Sequence, residues 1–72
     1  MIELHYYNWI TQREEVIQLP KDHITSKAQI NEHINIASYM KDPVDNAYNF
    51  VRRIIDIEYT GDTKKIKISN QT

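Results

Sequence analysis

A single glycine, Gly61, divides two runs of alternating residues, 51–60 and 63–69, and this stretch constrains the fold more than any other. Glycine followed by Asp62 is a hairpin signal, because glycine takes the positive φ of a primed turn without steric cost. With Gly61 and Asp62 as the loop, Thr60 faces Thr63, Tyr59 faces Lys64, Glu58 faces Lys65 and Ile57 faces Ile66. Asp56 then faces Lys67, and Ile55 faces Ile68. Side chains alternate faces along a strand. One face of the ribbon carries Ile55, Ile57, Tyr59, Ile66 and Ile68; the other sets Asp56 and Glu58 against Lys67 and Lys65. A three-residue loop would pair Ile57 with Lys65 and bury charge, so the register is specified. Two strands are marginal in water. The isoleucine face therefore needs a cover, from this chain or from a second copy.

Seventy-two residues supply one domain, read over 1–69 with 70–72 as a frayed end. A chain this short buries only about 60% of its unfolded surface. It has no cysteine, which excludes disulfides and thiolate metal sites and fits a reducing, cytoplasmic setting. The apolar runs are too short to span a membrane, and the start lacks the basic region and apolar core of a signal peptide. A net charge of −1 argues against a generic polyanion binder and against a nucleic-acid mimic. The charge is uneven: residues 1–51 hold four Lys/Arg against seven Asp/Glu, and residues 52–72 hold five against three.

Ile2, Leu4 and Tyr6 alternate with Glu3, His5 and Tyr7, which predicts a strand over 2–8. A short apolar run over 15–19, ending at Pro20, reads as the return strand of a first hairpin. A helix over 8–19 with Trp9, Val16 and Ile17 inward is the competing reading. Ser26-Lys27-Ala28-Gln29 matches a capping box and predicts a helix over 26–40. Its apolar stripe is Ile30, His33, Ile34, Ile36, Ala37 and Met40. Asp42 and Pro43 restart the chain as a second helix over 43–50; a strand running from Tyr48 is its rival. The expected fold is α+β in two layers, β-β-α-α-β-β. An antiparallel sheet of three to four strands (2–8, 15–19, 53–60 and 64–69) carries both helices on one face.

No motif brings together a nucleophile, a base and an oxyanion donor, so no catalytic residue is assigned. His5, His23 and His33 lie at no ligand spacing, and no metal or other cofactor is expected. His33, within the apolar stripe, reads as a hydrogen-bonded residue at the edge of the core. Three aromatics, Tyr7, Trp9 and Tyr39, are hard to bury together in so small a domain, and exposed Tyr and Trp are enriched in binding hot spots. They are the candidate partner-binding residues. Arg52, Arg53 and Lys64 form a thin basic patch once Lys65 and Lys67 are matched across the strand, and they are the candidate nucleic-acid contacts.

These features point to a small non-enzymatic regulator or inhibitor that binds another protein, of the kind phages and mobile elements carry. A nucleic-acid-binding transcriptional accessory protein is the alternative. A homodimer is expected as well. It would form along strand 2–8 as the sheet edge, which has neither proline nor lysine, with Tyr7 and Trp9 meeting their copies.

Overall fold

The computed structural model describes residues 1–40 and 50–70. The chain forms five strands and two short 3-10 turns. Strand β1 is Ile2–Asn8 and β2 is Arg13–Leu19. A 3-10 turn over Ile24–Lys27 follows, then β3, His33–Asn35, and a second 3-10 turn over Ile36–Tyr39. Strands β4, Val51–Thr60, and β5, Thr63–Ile68, complete the chain. The strands lie in the order β2-β1-β5-β4-β3. Three neighbouring pairs are antiparallel, but β1 and β5 run parallel, with Ile2 beside Lys64 and Leu4 beside Ile66.

This architecture corrects the two-layer β-β-α-α-β-β expectation. The sheet is mixed and five-stranded, and among the described residues nothing longer than a four-residue 3-10 turn is helical. The helix expected over 26–40 is replaced by turn, strand and turn. Its residues include Asn31, Asn35, His33, Ser38 and three isoleucines, all poorer helix formers. Their side chains and backbone choose local bonds instead. Asn31 takes a positive φ of 77°. The Gln29 N–H donates to Glu32 Oε1 (3.0 Å), and the Ala37 N–H donates to Asn35 Oδ1 (3.1 Å). The segment then supplies what β4 lacks, a second neighbour: the Ile54 N–H donates to the Glu32 carbonyl at 2.8 Å, and β3 continues the ladder. The helix expected over 43–50 falls outside the described residues apart from Phe50, which is buried.

The sheet has an inner and an outer face. Ile2, Leu4, Tyr6, Ile54, Ile66 and Ile68 point inward and pack with Ile36 and Phe50 into the core. The β4–β5 register runs as expected from Asp56 opposite Lys67 to Thr60 opposite Thr63. Beyond it the register shifts: Ile54, not Ile55, stands opposite Ile68, and Ile55 is a bulged residue, 45% exposed. The bulge has a clear reason. Unbroken alternation from Ile57 would turn Ile55, Arg53 and Val51 inward. The extra residue turns Ile54, Arg52 and Phe50 inward in their place. Exchanging Ile55 for Ile54 is neutral, and exchanging Val51 for Phe50 buries a larger apolar side chain, within a term of about 1.5–3 kcal/mol per side chain. Arg52 is carried inside with them and lies over the Phe50 ring, Cζ 5.8 Å from its centroid.

Candidate functional site

The two hairpins hold their turns by different means. In β4–β5 the turn is Gly61 at φ 57°. In β1–β2 the left-handed position belongs to Gln12 (φ 58°), and side chains carry the loop. Asn8 Oδ1 accepts the Ile10 and Thr11 N–H groups at 3.0 and 3.3 Å. Glu15 Oε1 accepts from Tyr6 Oη (2.8 Å) and Asn8 Nδ2 (3.1 Å), and Oε2 accepts from Thr11 Oγ1 (3.1 Å). The Asn8 bond, then the Tyr6 bond, hold the Glu15 carboxyl below its usual range. Burial, then the bond to Glu15, pushes the Tyr6 phenol up to about 12.

The outer face is crossed by rows of alternating charge. Gln18, Glu3, Lys65 and Glu58 form one row; Val16, His5, Lys67 and Asp56 form the next. Within this lattice His5 Nε2 lies 3.1 Å from Glu3 Oε1, and Lys67 Nζ lies 3.9 Å from Glu58 Oε1. Nearest the β1–β2 turn the lattice gives way to a shallow cleft of about 570 Å³ lined by His5, Tyr7, Glu14, Val16, Ile55 and Lys67. Strand β2 is one edge of the sheet, the three-residue β3 being the other: β2 pairs with β1, and among the described residues with nothing else. It is seven residues long and holds neither lysine nor proline. Trp9, Ile10 and Val16, all on this hairpin, are 46%, 55% and 50% exposed.

The expected partner-binding aromatics do not form one patch. Tyr7 faces outward, at the cleft. Trp9 sits in the loop and stacks on Phe50, ring centroids 5.9 Å apart at 24°. Tyr39 packs against the core from the inner side and meets His23 edge-on at 5.0 Å. The strand expected as the edge, β1, is interior, so the dimer contact drawn along it is not available.

The basic group is dispersed as well. Lys64 is 7% exposed, and its ammonium donates to the carbonyls of Thr25 (3.3 Å), Ser26 (2.8 Å) and Ala28 (2.8 Å). Three donors thus meet three acceptors at the end of the first 3-10 turn. The signal was present in the sequence as parity: Lys64 stands two residues from Ile66 and four from Ile68, on their face. Arg52 is buried by the bulge; desolvation lowers its pKa, and Nη1 donates to the Val51 carbonyl at 3.2 Å. Arg53 is exposed and donates to Asn31 Oδ1 at 2.9 Å. His33, expected at the edge of the core, is exposed on β3.

Among the described residues no three His, Asp or Glu side chains converge to hold a metal ion, and no helix is long and apolar enough to cross a membrane. Comparison with protein families, with characterised proteins and with solved structures finds no match to this chain.

Proposed function

We propose that the chain is a small non-enzymatic regulator or inhibitor that works by binding another protein through its β1–β2 hairpin. One observation carries this reading. The hairpin combines a seven-residue edge strand, which has one neighbour among the described residues, with exposed Tyr7, Trp9, Ile10 and Val16. Large exposed apolar and aromatic side chains beside an open edge are what a partner can dock on. The rest of the outer face supports the choice by contrast. Its lysines and carboxylates already face one another in register, so covering it would desolvate ions for little gain. The cytoplasmic setting is part of the proposal; the absence of cysteine fits a reducing compartment. The nucleic-acid alternative draws less support, because Arg52 and Lys64 of its three candidate contacts are buried.

Affinity capture from the source cell with the parent chain and with Val16→Lys tests the reading. A lysine on the open edge discourages strand and surface docking. The expected result is a protein recovered with the parent and lost with the variant, while Arg53→Ala still recovers it. Equal recovery by parent and Val16→Lys would remove the hairpin from the account.

A further inference from the structure

The side of β2 that has no neighbour among the described residues can be filled by a second copy of this chain or by a strand of another protein, and the charges on β2 discriminate between them. The order Arg13-Glu14-Glu15-Val16-Ile17 fixes what may stand opposite. In a two-fold antiparallel pair that keeps both inner faces on one side, a residue meets a copy of its own parity. Centring the axis on Glu14 brings Arg13 against Glu15 but stacks Glu14 on its copy. Centring it on Glu15 stacks Glu15 on its copy. Centring it on Val16 sets Arg13, Glu14 and Glu15 against Leu19, Gln18 and Ile17, so every charge lacks a counter-charge. Like charges directly opposite are destabilising, and opposite charges contribute roughly 0.2–1 kcal/mol per pair. The edge is therefore poorly complementary to itself.

We propose that β2 accepts an extended segment of another protein as a sixth strand, and that this segment carries two apolar residues followed by two basic ones and an acidic one. Run antiparallel, its apolar pair meets Ile17 and Val16, its basic pair meets Glu15 and Glu14, and its acid meets Arg13. Main-chain bonds along the edge give affinity, and alternate side chains give choice of partner. Glu14 is exposed on the outer face beside the Tyr7 and Val16 cleft. Glu15 faces the other way; its carboxylate accepts from Tyr6, Asn8 and Thr11, and with about four lone-pair sites it keeps room for a further donor.

This inference rests on the hairpin being the protein-binding surface, and one titration separates the two. The isotope-labelled chain is titrated with a capped peptide of core Val-Val-Lys-Lys-Asp and with its charge-reversed form, Val-Val-Glu-Glu-Lys. The first should shift and protect the amides of 13–19 and bind about tenfold more tightly than the second, since three attractive pairs become repulsive. Glu14→Lys, a change at an exposed position, should narrow or invert that preference. Equal binding by the two peptides, or no shift with about 1 mM peptide, overturns the proposal. Shifts confined to Trp9 and Ile10 overturn strand addition while leaving the hairpin as the docking surface. A homodimer with protection over 13–19 assigns the edge to a second copy and overturns it as well.

Discussion

The two hairpins of this sheet are built to opposite ends. The β4–β5 hairpin turns on Gly61, runs a ladder of opposite charges on its outer face, and lies between β1 and β3 with its inner residues in the core. The β1–β2 hairpin turns without glycine, on bonds from Asn8 and Glu15, and leaves β2 with one neighbour among the described residues. The first is fixed by burial and backbone geometry. The second shares that core through Ile2, Leu4 and Tyr6 of β1, but its turn is fixed by side-chain bonds from Asn8 and Glu15, while the loop and much of β2 stay exposed. The buried core hairpin and the proposed docking surface thereby lie on different parts of one small sheet.

The largest expected effect comes from breaking the buried side of that contrast. Lys64→Met keeps the length of the side chain but removes the ammonium from the carbonyls of Ser26 and Ala28, and from that of Thr25, which keeps the Ala28 N–H at 3.1 Å. Each unsatisfied buried group costs about 1–3 kcal/mol, and water can reach some of them, so a net loss of about 3 kcal/mol is expected. A chemical-denaturation midpoint within error of the parent would show that the ammonium does not hold the 3-10 turn to β5.

A smaller effect separates the two turns. No atom lies within 4 Å of a Cβ placed on Gly61, so Gly61→Val meets open space and costs backbone strain alone, about 1–2 kcal/mol. Gln12→Gly relieves the same kind of strain in the other hairpin and should stabilise by a few tenths of a kcal/mol, on the order of 0.5. The two changes should move the melting temperature in opposite directions. Parallel shifts would mean that the turns are not held as described.

The smallest effects are read from pH. The Glu15 carboxyl is held below its ordinary value of 4.5, so its contribution is complete above about that pH and is lost as pH falls through the lower folded value. Glu15→Gln should flatten the acid limb of the stability curve. The Tyr6 phenol is raised from 10.0 to about 12, so its contribution is complete below pH 10 and is lost as pH climbs toward the folded value. Tyr6→Phe should flatten the alkaline limb. Unchanged limbs in both variants would contradict the Tyr6–Glu15 bond.

Much of β4–β5 was legible in the sequence because its signals agree: one glycine, alternating isoleucines and facing charges all select a single register. Strands β1 and β2 were legible from alternation and from the run before Pro20. The bulge at Ile55 was not, since adjacent isoleucines at 54 and 55 fit either face and only Phe50 and the core decide between them. The helix expected over 26–40 misled because Ile30, Ile34 and Ile36 suit a helical stripe, whereas Ile34 and Ile36 also suit a strand that β4 was short of. The parallel pairing of β1 with β5 has no local signal, being a contact between the two ends of the described chain. It also places β1 inside the sheet and leaves β2 as the edge strand on which the proposed docking surface lies. Of the candidate site residues, Tyr7 and Trp9 fall on the β1–β2 hairpin, while Tyr39 lies with the inner layer.

The central claim, that β2 is the open edge and the docking strand, is tested most directly by amide hydrogen exchange on the chain alone and with the protein it captures. The account predicts that β2 alone exchanges faster than β5, and that the partner slows exchange over 13–19 while β4 and β5 change little. Slow exchange along β2 in the free chain, or partner protection confined to 51–68, would contradict it.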